Sequence, residues 1–363
     1  MRDQSTGEPT GVLLHYPAEN MVGQVAAGYA DQSDEELEED LKRGQDILLS
    51  AGITSGQDVI VSSPRYVKIY KNLADKNELK MRMYLLLYVN SEEQAKEYAE
   101  TIKGFRSDKL TFGGWKLAID GGVAAGTSLM YNTDLYASRN SYYYYKPDVL
   151  GRIVSLLHDT GLQISFHIIG DKGIDQALDA LEDAIKANPR KDPRHRIEHA
   201  VYVNPDSLKR IKELGVVIST QPQWISWQAD EYRKATNDVT MDNFIPINSM
   251  LELGIPVAFG CDVPAAITHE PIWAFIGATT RRTASGYVPA PDQRINIHKA
   301  LKIHTVGSAY AAFEENEKGS IEEGKFADLF VWSHDFYSIK PQEASEIEAL
   351  MTIIGGEVVY EKN

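Results

Sequence analysis

Short apolar runs, most of them carrying one polar or charged residue near the end, recur along this chain with helical stretches between them. This alternation constrains the fold more than any other feature. The runs fall at residues 115–120, 163–168, 195–200, 216–221 and 256–262. Helical periodicity occupies about 148–160, 173–187, 205–214 and 244–253. Such alternation favours a parallel sheet, and residues from the ends of different strands then converge at one mouth. Upstream, the first 30 or so residues read as mostly irregular. Ser33 with Glu36 forms a capping box that predicts a helix to about residue 50. A short strand and turn at 53–56, a helix at 63–76, a strand at 79–89 and a helix at 92–103 follow. Downstream, helices are expected at 272–282 and 297–314. Residues 325–332 and 351–360 read as two strands outside the alternating order.

Strand alternation sorts the polar residues by face. Lys116 shares a face with Ala118 and Asp120, and Trp115, Leu117 and Ile119 take the other. His167 goes with Ser165, opposite Ile164, Phe166 and Ile168. Asp262 goes with Gly260 and Ala258, opposite Val257, Phe259 and Cys261. In each case the bulky face is free to pack on helices. The strand of His199 is less regular: His199 shares a face with Ile197, while Arg196 and Glu198 take the other.

Composition narrows the partners. There are 37 basic and 52 acidic residues, a net charge of −15, which disfavours nucleic acid or an anionic membrane as a general partner. The single cysteine, Cys261, excludes an intrachain disulfide framework and a cysteine zinc cluster. No run of roughly 18 apolar residues suggests a membrane span. The first seven residues lack the apolar core of an export signal, so a cytoplasmic location is the default expectation. A small-molecule substrate is the expected partner, and a homo-oligomer is compatible with the sequence.

At these residues the chain resembles the amidohydrolase superfamily, and most closely its amidohydrolase-3 (YtcJ-like) branch. The matching stretches are Lys116 with Asp120-Gly121, His167 through Asp171, Arg194 through Ala200, Gln221-Pro222, Gly260 through Pro264, and Gly319 through Leu329, in the family's order. The resemblance covers nearly the whole sequence. It implies a TIM-like (β/α) barrel over residues 1–315. Residues 316–363 would supply C-terminal strands of a small composite β-sandwich. It also implies hydrolysis of non-peptide C–N bonds, in an amide, formamide or cyclic amide, by metal-activated water. Carried over position by position, Lys116 would be the carboxylated lysine of strand four, which bridges two metals. His167 and His199 would be ligands from strands five and six. Asp262 of strand eight would be both ligand and catalytic acid/base. A divalent metal, zinc above all, suits these donors. A bound ion brings the pKa of its water near 7, and Asp262 would shuttle the proton. Tyr144, Gln221 and Trp224 are candidates to line the substrate pocket, with Gln223 beside them.

The departures matter equally. The family's first strand ends in His-x-His, and this chain has none. The chain is therefore expected to lack the family's N-terminal third, including that strand. One ion would then bind through Lys116, His167 and His199, with activity impaired. Gly122 and Cys261 stand where the family commonly has serine. Other readings remain open: a non-catalytic remnant needing a partner chain, or a metal-free barrel using Lys116 as a Schiff-base lysine. Asp120 and Asp171 read as turn and cap residues, and His195 and His304 as packing or surface histidines. The Tyr142–Tyr145 run reads equally as a lid or as a loop packed on its own rings.

Overall fold

Ser33 starts the first helix as its capping box requires. Its hydroxyl accepts the Glu36 N–H at 3.2 Å, and the Glu36 carboxylate accepts the Ser33 N–H at 2.8 Å. The computed structural model describes residues 5–8, 32–266, 268–338, 340 and 343–362. The irregular start expected from the sequence lies mostly outside them. The elements in chain order are α1 (Asp34–Ser50), β1 (Ser55–Val61), α2 (Pro64–Asp75), β2 (Arg82–Tyr88), α3 (Glu92–Thr101), β3 (Phe105–Arg106) and β4 (Leu110–Ala118). Next come α4 (Pro147–Asp159), β5 (Gln163–Ile168), α5 (Asp171–Ala187), β6 (Arg196–His199), α6 (Pro205–Glu213) and β7 (Val217–Thr220). Three short helices follow, α7 (Gln223–Trp227), α8 (Ala229–Ala235) and α9 (Asp238–Met241), then α10 (Ile247–Glu252), β8 (Val257–Phe259), α11 (Ile272–Thr280), α12 (Ile297–Lys302) and α13 (Ser308–Ala311). The tail holds β9 (Leu329–Trp332), β10 (Ala349–Ile354) and β11 (Glu357–Glu361).

Strands β1, β2, β4, β5, β6, β7 and β8 pair in that order, all parallel, into one curled half-barrel, and β3 adds to β4 antiparallel. Among the described residues β1 and β8 are not paired with each other, so the barrel is open there. The inward layers follow from register. Lys116 stands opposite Ser165, and Ser165 opposite Arg196; one layer higher, Ala118, His167, Glu198, Ser219 and Ala258 run across five strands. The outward residues Trp115, Leu117, Ile164, Phe166, Ile197 and Ile218 are buried in the main core beneath the helices. At roughly 25 cal/mol per Å² of apolar surface removed from water, this outer layer is the main stabilising mass of the molecule. Gly114 is where β4 approaches β5 most closely: with φ +158°, a Cβ there would meet the Gln163 carbonyl oxygen at 1.9 Å.

The open end near the strand starts is filled from the C-terminal side. Ala311 packs inside on Val217 and Ala258, and Ala312 on Tyr84 and Leu86. The expected helix at 297–314 is in fact α12, a π-turn at Ile303–Gly307 and α13. The turn lies against β8, where a Cβ on Gly307 would meet the Val257 carbonyl oxygen at 2.2 Å.

The tail corrects the expectation of two strands. Residues 351–360 are a hairpin, so three antiparallel strands form in the order β11-β10-β9. Gly355 and Gly356, at φ +62° and +85°, make the two-residue turn that only glycine adopts readily. This sheet shares the main core through Ile347 and Ile354, and Thr352 donates to the Leu49 carbonyl of α1 at 2.7 Å. The β1 expectation also shifts: the strand begins at Ser55, inside the expected turn, and runs to Val61.

Candidate functional site

Lys116, third residue from the end of β4, is 1% exposed, and its ammonium nitrogen has no hydrogen-bond partner among the described residues. Burial pushes its pKa down to about 8, against the pull of Glu198 and Asp262. His167 of β5 and His199 of β6 lie edge to face with ring centroids 4.5 Å apart. Asp262 follows β8 in a left-handed conformation (φ +56°). Burial raises its carboxyl, while His199 and Lys116 act to lower it. Lys116, His199, Glu198 and Asp262 thus share one electrostatic neighbourhood at the carboxyl ends of the strands, the end where barrel active sites form.

The irregular β6 alternation has a structural resolution. Ile197 is in the outer core, as its face requires. His199 does not follow it, because the backbone turns left-handed at His199 (φ +76°) and Ala200 (φ +47°), and the imidazole joins the mouth. There its Nδ1 stands 2.8 Å from Gln221 Oε1, and its ring stacks on Trp224 at 5.1 Å and 13°. With a carbonyl oxygen as acceptor, Nδ1 carries the proton and Nε2 keeps its lone pair, the form a metal ligand needs. Burial lowers the His199 pKa, which also favours the neutral ring. Gln223 Nε2 donates to the carbonyls of Gly260 and Cys261, each at 3.0 Å, and so ties the β7 loop to the segment leading to Asp262. Of the three expected pocket residues, Gln221 and Trp224 are therefore at His199. Tyr144 stacks on Tyr142 at 5.2 Å in the loop after β4. In the same run Tyr145 is buried and donates to the Val89 carbonyl at 3.1 Å, as a packed loop would.

Sequence reasoning missed the buried charges beside Lys116 and His167. Arg196 and Glu198, each at most 3% exposed, form an ion pair of 2.7 Å inside the curled sheet, and Ser165 donates to Glu198 at 2.6 Å. Burial alone would raise the Glu198 carboxyl; Arg196 and Lys116 overcome it and hold it at about 2. The signal was present: alternation put both residues opposite Ile197, the face that points inward. Asp120 is the local residue expected. It accepts the N–H groups of Leu129, Ile169 and Gly170 at 2.8–2.9 Å and locks two loops together. His195 is a packing residue. Its Nδ1 accepts the Ile164 N–H at 3.0 Å, its Nε2 faces His158 Nδ1 at 2.8 Å, and His158 Nε2 faces the Asn188 carbonyl at 2.8 Å.

His167, His199 and Asp262 are donor types that a divalent cation takes. Among the described residues no three His, Cys, Asp or Glu side chains stand close enough to hold one ion. A cation here would need a further donor, and Lys116 would supply an oxygen only if its amine were carboxylated. The orphaned Lys116 nitrogen beside two imidazoles and Asp262 fits that arrangement.

A model of the Amidohydrolase family matches residues 1–360. The chain belongs to the amidohydrolase family. It is 26% identical over 376 residues to the putative amidohydrolase YtcJ of Bacillus subtilis (strain 168), covering 99% of this chain and 67% of that protein. It is 25% identical over 368 residues to the N-substituted formamide deformylase of Arthrobacter pascens, again covering 99% and 67%. Its fold matches an uncharacterized metal-dependent hydrolase from Pyrococcus horikoshii OT3 with a TM-score of 0.77 at 24% identity, over 94% of this chain and 67% of that one. The chain spans between 62% and 67% of the length of the curated relatives that it matches end to end. No helix among the described residues is long and apolar enough to cross a membrane.

Proposed function

We propose that this chain carries the larger part of a metal-dependent hydrolase active site that cleaves a non-peptide C–N bond of a small amide or formamide. The observation that carries the reading is the buried, unpartnered Lys116 amine facing His199 and Asp262 at the strand ends. Lys116, as its carbamate, with His167, His199 and Asp262 would hold a divalent cation, zinc by donor type. When bound, the cation would polarise the substrate carbonyl and lower the pKa of a water. Burial keeps a neutral fraction of the Lys116 amine accessible near pH 8, and only the neutral amine adds carbon dioxide. Gln221 holds the His199 tautomer. Asp262, its carboxyl raised by burial, accepts a proton and returns it to the leaving nitrogen. Trp224, stacked on His199 with its indole N–H unpartnered among the described residues, offers a donor to the substrate. The formamide deformylase relative makes N-substituted formamides the first substrates to assay.

Purified protein should hold at most one divalent ion per chain, bound weakly through Lys116, His167 and His199; two tightly held ions on elemental analysis would refute this. Asp262→Asn should cut kcat by about 10²–10⁴-fold. Metal-independent turnover, or borohydride trapping of a carbonyl substrate on Lys116, would overturn the reading. A second reading, a catalytically impaired barrel that works with a partner chain, draws on the outer edges of β1 and β8, which are unpaired among the described residues. Metal binding without turnover, in an associated species on light scattering, would favour it.

A further inference from the structure

The inner face of the sheet has a gap at Gly260, just past the end of β8. The Gly260 N–H donates to the Thr220 carbonyl at 3.0 Å, which sets Gly260 beside Gln221 of the neighbouring strand end. One layer below, Ser219 and Ala258 are register partners. A Cβ on Gly260 would meet, beyond its own chain neighbours, only Gln221 Nε2 at 3.4 Å and Ser219 Oγ at 3.9 Å within 4 Å. The space in front of Gln221 Nε2 is therefore open. Gln223 holds the gap's far wall by donating to the Gly260 and Cys261 carbonyls, each at 3.0 Å. Gly277 of α11 backs the segment from outside, where a Cβ would meet the Pro222 carbonyl oxygen at 1.9 Å.

Gln221 is 3% exposed, and its Oε1 is taken by His199 Nδ1 at 2.8 Å. That contact fixes which end of the amide is oxygen and leaves Nε2 turned to the Gly260 gap. Nε2 makes no hydrogen bond among the described residues. A buried donor without an acceptor is costly, and this one borders open space instead of packed atoms. We propose that the Gln221 side-chain amide is a catalytic donor: its Nε2–H binds the carbonyl oxygen of the amide substrate in the Gly260 gap and holds it as it becomes an alkoxide. The inference rests on the hydrolase reading above. Addition of water to the carbonyl carbon moves the π pair onto that oxygen. The water's proton passes to Asp262 and then to the nitrogen, and the C–N bond breaks as the oxygen pair returns. The extra charge sits on the carbonyl oxygen between those steps, where a preplaced N–H counts most. β7 lies between β6 and β8, so one side chain steadies the His199 ring with one atom and meets the substrate with the other.

Two variants of the full chain test this with N-butylformamide as substrate. Gln221→Glu keeps an oxygen for His199 Nδ1–H and removes the donor. It should lower kcat about 10²–10³-fold with little change in KM. Metal content should match the parent, and ¹⁵N-histidine NMR of the metal-free chain should still show His199 protonated on Nδ1. Gly260→Ala adds no charge and meets only ordinary contacts, since the Gly260 φ lies outside the left-handed range. Its methyl takes the oxygen's place, so kcat should fall about tenfold or more. If Gln221→Glu fails to fold, Gly260→Ala decides alone. Unchanged kcat in either folded variant overturns the proposal. So does a Gln221→Glu loss matched by lost metal or a changed His199 tautomer, which would leave Gln221 a positioning residue only. A parent chain that turns over no formamide sinks the hydrolase reading and this inference together; turnover that survives both variants sinks this inference alone.

Discussion

The two ends of the same parallel strands are built to opposite rules. At the end where the strands start, most polar groups are matched, with Arg196 Nε an exception. Arg194 pairs with Glu315 and Asp192 at 2.8 Å and lies over the Tyr310 and Phe313 rings. Gln163 donates to the carbonyls of Arg194 and Ala311 at 2.6 and 3.0 Å. Arg82 grips Asp328 with two bonds of 2.6 and 2.9 Å, which ties β2 to the tail. At the other end Lys116 Nζ, Ser128 Oγ, Thr220 Oγ1, Gln223 Oε1 and Trp224 Nε1 are buried without hydrogen-bond partners among the described residues. Buried unmatched polar groups lower stability and persist where a ligand completes them. One end holds the fold, and the other is shaped for chemistry.

Four substitutions or conditions would break or sharpen that contrast. The largest stability change is expected from Arg82→Ala, which strands a 3% exposed Asp328 side chain; the loss is about 3–5 kcal/mol by urea titration. Activity per folded molecule should be unchanged, and a matching loss of kcat would dissolve the division of labour. Lys116→Met should do the reverse. A pKa held near 8 instead of 10.5 means that the ammonium at neutral pH costs about 3 kcal/mol. The metal-free variant should therefore be more stable than the metal-free parent by up to about 3 kcal/mol, and lose metal and turnover. A lower midpoint would show that Lys116 is structurally paired.

Acid should act next. Burial lowers His304 to about 4 and His195 well below 6.5. Below pH 6.5 the unfolded chain takes up protons that the folded chain refuses, so stability falls as pH drops from 6.5 toward 4. The His304 part is about 2 kcal/mol, discounted for its partial exposure. His304→Gln should flatten the curve over that window; an unchanged slope would assign the loss elsewhere. The smallest effect is at neither end. Ser33→Ala should cost about 1 kcal/mol through the lost cap, with kinetics unaltered.

Much of the sheet was legible because the strands bury one bulky face: Trp115, Leu117, Ile164 and Phe166 alternate with Lys116, Ser165 and His167, and a period of two survives in sequence. The hairpin at Gly355-Gly356 was missed although the dipeptide is a turn signal, since the flanking apolar residues read as one run. The π-turn at 303–307 leaves the helical periodicity of its neighbours nearly intact and has no sequence mark. The site residues were legible only as residue types in an order, through the resemblance to the family.

By itself the sequence determined the alternating parallel architecture, the inward placement of Lys116 and His167, and the family. The first two follow from local periodicity, which neighbouring positions encode; the family follows from the resemblance of motifs spread along the chain. Only the tertiary structure decided that His199 swings to the mouth against its strand alternation, that Arg196 and Glu198 form a buried ion pair beside Lys116, and that Ala311 and Ala312 fill the space at the strand starts. Each depends on contacts between residues far apart in the chain, whose burial and register no local pattern records.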